Sequence, residues 1–224
     1  MWTALGDALP LATGLALSPL AVITGVVLLL GDRGRTKTAM FGLGWFVAIY
    51  AVAALALWVV EAAEDTAAQE TADGVDIVQL AFAVLFLALA YLIWRKRPSS
   101  GEPVPQSRLL ARLNNIGIPG SFVLGLAQGV VLIQALPLSL GAGARLGEAG
   151  LEGTDAVVSL LIFSLVATAG VLVPLAVALV AGERLTTPLR NTRQWLEENM
   201  AAVTITILVI LSGYFMGQGF GVLD

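Results

Sequence analysis

Residues 8–37 read ALPLATGLALSPLAVITGVVLLLGDRGRTK. Residues 8–31 carry no charge, and then Asp32, Arg33, Arg35 and Lys37 follow in quick succession. About 20 helical residues cross a hydrocarbon core of about 30 Å, so the uncharged run can span a bilayer. Its abrupt basic ending reads as a loop at a membrane face. Pro19 falls well inside the run, where it removes a backbone donor and pushes away the carbonyl one turn earlier. This stretch therefore predicts a transmembrane helix that is broken near its middle.

The same pattern repeats along the chain. Uncharged runs also occupy 38–60, 77–94, 113–144, 156–182 and 199–223, each at least 18 residues long. Of the 224 residues, 58% are apolar and 12% charged, against roughly 45–50% and about 25% in soluble chains. With a mean hydropathy of +0.88, the chain has too little charge to cover a water-soluble surface. The expected class is an all-α polytopic membrane protein with six transmembrane helices. The apolar N-terminal run lacks a basic leader, carries Asp7 instead, and reads as the first span rather than a cleaved signal.

The connections alternate in sign. Arg33, Arg35 and Lys37 follow the first run, Arg95, Lys96, Arg97, Arg108 and Arg112 the third, and Arg184, Arg190 and Arg193 the fifth, which is eleven of the twelve basic residues. Between the second and third runs lie six acids, Glu61 to Asp76, and no basic residue. The positive-inside rule makes the basic side cytoplasmic and both termini external. Two basic connections hold amphipathic stretches, 107–116 and 187–198, expected to be short helices in the interface. Arg108 and Arg112 would reach lipid phosphates from the first, and Thr187-Pro188 would open the second.

Pro137, in Ala135-Leu136-Pro137-Leu138, repeats in the fourth run what Pro19 does in the first. With three spans per half, the second half is inverted relative to the first. Inverted repeats with interrupted helices are a recurring transporter design. The expected organisation is a first three-helix repeat over 1–95, a cytoplasmic linker with an interfacial helix over 96–118, and a second three-helix repeat over 119–224. Helices one and four are broken at their prolines. Ser18, Pro19, Thr24, Gln128, Gln134, Pro137 and Thr168 become candidate substrate-binding residues lining a shared cavity. The alternative is that the prolines are kinks and the polar side chains only join helices. Pro10 and Pro174 read as kinks. Gly125/Gly129 and Gly213/Gly217 are spaced for close helix approach, as are Gly42 and Gly44 against the first span.

The chain contains no cysteine or histidine. That removes disulfides, thiol chemistry and zinc sites of Cys/His type. No nucleophile with a base partner and no phosphate-cradling Gly-Lys-Ser/Thr loop occurs. No catalytic residue, metal ligand or cofactor is expected, and nucleic acid is not an expected partner. No ionisable residue lies mid-span, where proton- and ion-coupled carriers keep one. Asp7 and Asp32 border the broken first span and are the candidates for coupling; the alternative is that both are ordinary solvated boundary charges.

The segments Leu15-Ala16-Leu17-Ser18-Pro19-Leu20, Asp32-Arg33-Gly34-Arg35 and Phe41-Gly42-Leu43-Gly44-Trp45 resemble the peptidoglycolipid-addressing-protein (GAP, or Sap-like) family. So do Ala181-Gly182-Glu183-Arg184, Trp195-Leu196, Asn199 and Gly217-Gln218-Gly219, so the resemblance covers nearly the whole chain. Members of that family are six-span proteins of actinobacteria, grouped with the lysine-exporter superfamily. Where they commonly carry Asn-Pro-Lys in span four, this chain has Leu136-Pro137-Leu138. The resemblance implies an inner-membrane protein that exports or translocates a cell-envelope (glyco)lipid, with membrane lipids as partners. A second copy of the chain or envelope-synthesis proteins are further candidate partners. The alternatives are export of a small polar solute such as an amino acid or ion, and a non-transporting scaffold for envelope-lipid assembly.

Overall fold

A computed structural model describes residues 1–64, 77–95, 116–132, 135–181 and 186–220. Among them the regular elements are all helices: α1 (Trp2–Ala16), α2 (Pro19–Leu29), α3 (Gly34–Glu64), α4 (Ile77–Arg95), α5 (Ile118–Val131), α6 (Ala135–Glu148), α7 (Gly153–Ala181) and α8 (Thr186–Gly219). By length and apolarity α3, α7 and α8 can each cross a bilayer, and α1–α2 and α5–α6 pass as bent pairs, giving three to five candidate spans. α4 is a further apolar helix of 19 residues. The chain is thus an all-helical membrane protein. Its outward surface carries exposed Trp58, Val84, Tyr91, Val173, Val180 and Ile210, as a lipid-facing shell requires.

The two bends have different chemistry. α1 closes as Leu17 N–H donates to Thr13 O and Ser18 N–H to Leu15 O; α2 opens as Val22 N–H donates to Ser18 O. Pro19 takes the first position of α2, where its missing N–H has no intrahelical partner to lose. The axes of α1 and α2 differ by 54°. In the second half, α5 ends at Val131, Leu132 is extended (φ −63°, ψ 127°) and α6 begins at Ala135, whose N–H donates to Leu132 O. The bend there is 72°. Pro137 therefore sits in the first turn of α6, downstream of the break. The expectation that helix four breaks at its proline is corrected to a break that precedes it. A proline in a first turn has no hydrogen bond to remove. Pro10 and Pro174 lie inside α1 and α7 without interrupting them.

α3 is the central element. It packs on both members of the second bent pair and on α7, while the first bent pair packs mainly on α7, and α4 pairs with α8. Phe41, Trp45, Ile49, Phe163, Leu138 and Phe215 fill the interior. Gly44 and Gly125 let α3 and α5 touch backbone to backbone. A Cβ on Gly125 would overlap Phe41 O, and one on Gly44 would overlap Phe122 O. Gly42 faces Val171 and Leu172 of α7. Neither Gly42 nor Gly44 meets the first span as expected, because Gly42 faces α7 and Gly44 faces α5; the close glycine contact of the first span is Gly170 of α7 against Ala16 O. Gly213 does not mediate close packing: nothing lies within 4 Å of where its Cβ would stand.

The expected interfacial helix over 187–198 is the first third of α8, which continues unbroken for 34 residues. No glycine or proline follows Pro188 until Gly213. Pairs at i,i+4, Arg193 Nε to Glu197 Oε1 at 2.7 Å and Gln194 Nε2 to Glu198 Oε1 at 2.9 Å, support the polar segment. The expected helix over 107–116, apart from Ile116, the acidic connection 65–76 and most of the 96–118 linker lie outside the described residues.

Candidate functional site

α2 is almost purely apolar, PLAVITGVVLL, so its one hydroxyl stands out. Thr24 Oγ1 donates to Leu20 O at 2.7 Å, one turn back. It also accepts from Gln128 Nε2 of α5 at 3.0 Å. Both side chains are buried, at 0% and 7% exposure. They lie 104 residues apart and come from the two bent pairs. Gln128 Oε1 is buried with no hydrogen-bond partner.

The neighbouring helices converge on the same turn of α2. Thr38 Oγ1 of α3 donates to Gly25 O at 3.1 Å. A Cβ on Gly25 would stand 3.2 Å from Val171 Cγ1 of α7. Thr168 lies one turn before Val171, against Gly42 of α3, and its Oγ1 donates to Ser164 O at 2.7 Å. Ser164 Oγ and Trp45 Nε1 are, like Gln128 Oε1, buried without a hydrogen-bond partner. An amide and two hydroxyls thus meet where α2, α3 and α5 come together, with Val171 of α7 against the same turn of α2. Leaving such groups unpaired costs about 1–3 kcal/mol each.

The sequence-derived candidates fall into three sets. Thr24 and Gln128 are in direct contact, and Thr168 stands on α7 against Gly42 of α3. Ser18 and Pro19 are buried at the first break, whose approach to the second half is marked by Gly14, 3.3 Å from Leu138 Cδ1 as a Cβ would measure it. Pro137 is half-buried, and Gln134 lies outside the described residues. The expected open cavity does not touch these groups in this conformation. Ser18, Thr24 and Thr168 are at most 1% exposed, so nothing the size of a water molecule stands against them. The reason is packing: Leu11, Leu15, Ile23 and Leu138 fill the space around the breaks.

Asp7 and Asp32 are both exposed at opposite ends of the first bent pair. Neither carboxylate forms a salt bridge with another described residue. Thr38, Trp45 and Ser164 escaped the sequence reading. Thr38 follows the basic turn directly and looked like its edge, and nothing in a linear pattern distinguishes Trp45 from an interfacial tryptophan. Arg35 and Lys37 also do more than mark topology: Arg35 Nη2 donates to Ala178 O at 3.2 Å near the end of α7, and Lys37 is 8% exposed. At the same basic end a cavity of about 410 Å³ opens between α2 and α8, lined by Val27, Leu30, Arg190, Arg193, Gln194 and Glu197.

The family described as Sap, sulfolipid-1-addressing protein, matches residues 8–221 by its sequence model. No curated protein and no solved structure matches the chain.

Proposed function

The chain belongs to the Sap, sulfolipid-1-addressing protein, family, and from that membership we propose that it translocates an envelope (glyco)lipid across the cytoplasmic membrane. The observation that carries the reading is the Gln128–Thr24 hydrogen bond, which ties the two bent pairs together at a buried polar spot. Interruptions at membrane depth are stable only where protein or a polar pathway satisfies the freed backbone. An uncharged polar patch suits a headgroup that passes briefly, while the acyl chains stay in lipid beside the bent helices. Ser18, Pro19, Thr24, Gln128, Gln134, Pro137 and Thr168 form that path.

The architecture behind the reading is six spans in two inverted three-helix repeats, with both termini outside. The exchanged packing supports it: the first bent pair lies on α7, its second-half counterpart lies on α3, and α4 lies on α8. The closed interior is one state of a cycle, and changes in the two bend angles open the path to either side. Membrane lipids are the partners; a second copy of the chain or envelope-synthesis proteins assemble with it. Asp7 and Asp32, at the faces of span one, are where coupling to a gradient would enter.

Reconstituted vesicles test this directly. A fluorescent sulfated glycolipid should move between leaflets faster in the presence of the wild-type protein than in empty vesicles. Gln128→Leu should slow that movement about ten-fold, the loss of roughly one buried hydrogen bond. Parallel runs with an imposed pH gradient, for wild type, Asp7→Asn and Asp32→Asn, report coupling. Amino-acid flux without lipid movement would favour a solute exporter, and neither flux would favour a scaffold.

A further inference from the structure

The cavity between α2 and α8 has walls of opposite character. Val27 and Leu30 of α2 make one wall, and Arg190, Arg193, Gln194 and Glu197 of α8 make the other. The α8 residues stand at i, i+3, i+4 and i+7, so they share a single helical face. A face carrying two arginines would be expected to look into water, but here it meets the end of an apolar helix. Arg193 is half-buried, with Nε held by Glu197 at 2.7 Å, and the rest of its guanidinium has no such partner among the described residues. Arg190, one turn earlier, makes no ion pair among the described residues. One carboxylate against two guanidiniums leaves the cavity net positive. On the adjoining turn exposed Asp32 and Arg33 offset one another, and Arg35 at the start of α3 donates to Ala178 O.

The geometry points to a binding site for the oxyanionic headgroup of a membrane lipid, a phosphate or sulfate ester, in the leaflet that meets the basic end of the bundle. Guanidinium groups recognise such esters through paired, charge-assisted N–H donors. Val27 and Leu30 supply an apolar wall for the first carbons of the attached chain. The cavity is open on one side and about 410 Å³ in volume, room for a headgroup whose chain stays in the surrounding lipid. Trp195, 56% exposed on another face of the same helix turn, marks headgroup depth, where tryptophan concentrates. Val27 lies three residues beyond Thr24, on the same side of α2. Resting on the translocation reading above, the cavity is then the loading station, from which α2 leads inward to the Thr24–Gln128 contact.

Purified full-length protein in mixed micelles, exposed to equal amounts of phosphatidylglycerol and phosphatidylcholine, tests the site by native mass spectrometry of retained lipid. Wild type should retain phosphatidylglycerol preferentially. Arg190→Gln should reduce that preference about five-fold, the effect of one basic side chain at a membrane surface. Arg190→Lys should keep most of it, and Arg33→Gln should change it little. Arg190 is exposed and makes no salt bridge among the described residues, so its substitution leaves folding intact. Soluble glycerol phosphate distinguishes the sources of the anion. Displacement of the lipid at millimolar concentration would assign the site to the free ester, and resistance to displacement assigns it to the lipid. Equal retention of both lipids by wild type, or an unchanged preference in Arg190→Gln, overturns the site. Lipid retention without movement between leaflets would leave the site standing and remove the translocation reading. Movement without retention would do the reverse.

Discussion

Gln128 and Thr24 are the pair whose loss should separate stability from function. Thr24→Val leaves Gln128 Nε2 buried without its acceptor, and Gln128→Leu removes the amide altogether. Between transmembrane helices a hydrogen bond of this kind contributes about 0.6–2 kcal/mol. Thr24→Val should therefore lower stability by about 1 kcal/mol. Replacing both partners by apolar groups of similar shape can be nearly neutral. The double variant should thus regain most of the stability lost in Thr24→Val, and with it the orphaned Gln128 Oε1 disappears. Unfolding in mixed micelles, followed by circular dichroism, measures the four corners of this cycle. If the contact exists only to hold helices together, lipid movement should recover with stability. On the translocation reading it stays low in the double variant.

The two bent pairs predict unequal responses to proline removal. Pro19 is the first residue of α2, and Ser18 N–H already bonds to Leu15 O. Alanine at 19 supplies the N–H that would let α1 run on into α2. Pro137 lies downstream of a break already made by extended Leu132, so alanine there has no interrupted ladder to repair. Pro19→Ala should slow lipid movement by about ten-fold, as expected if straightening the helix raises the barrier by roughly 1.4 kcal/mol, and Pro137→Ala should be close to wild type. Vesicle assays at matched protein levels compare the two. Equal effects would mean that the prolines act through something other than the bends. Element boundaries were partly legible in the sequence: the first break was placed at Ser18-Pro19 because the donor is lost there. The second was misplaced by a few residues, since a proline also marks a helix start.

For the whole molecule, the charge pattern and the inverted organisation proposed above make one prediction about sidedness. The chain has no cysteine, so single cysteines report cleanly. Thr36 and Thr192 are exposed at the basic end, and Ala149 is exposed in the turn between α6 and α7. An impermeant maleimide added to intact cells should label Ala149→Cys and leave Thr36→Cys and Thr192→Cys unmodified until the membrane is permeabilised. Labelling of Thr36→Cys from outside would invert the topology and move the arginine-lined cavity to the other leaflet. α3 packs against the second bent pair, and the first pair packs against α7. The labelling pattern tests the sidedness that the proposed inverted arrangement entails.

Apolar run length and clumped charge were enough to determine that this chain is helical and lives in a membrane, because a bilayer sets one length scale and penalises charge in its interior. Short motifs such as Leu17-Ser18-Pro19 and Phe41-Gly42-Leu43-Gly44-Trp45 were enough to find the family. Which polar residues meet was not determined by pattern. Gln128, Thr24, Thr38 and Thr168 each look alone like a hydroxyl or amide satisfying its own helix, and Thr24 and Thr168 do bond one turn back. Only the packing of α2 against α3 and α7, with Gln128 reaching across from α5, brings Thr24, Gln128 and Thr38 together, and the same packing leaves Ser18, Thr24 and Thr168 enclosed. Arg190 and Arg193 read as topology markers in the sequence. Continuous helix through 186–219 turns that face onto α2, because a side chain's partner depends on how helices lie across one another, and lipid-facing and helix-facing surfaces here are equally apolar.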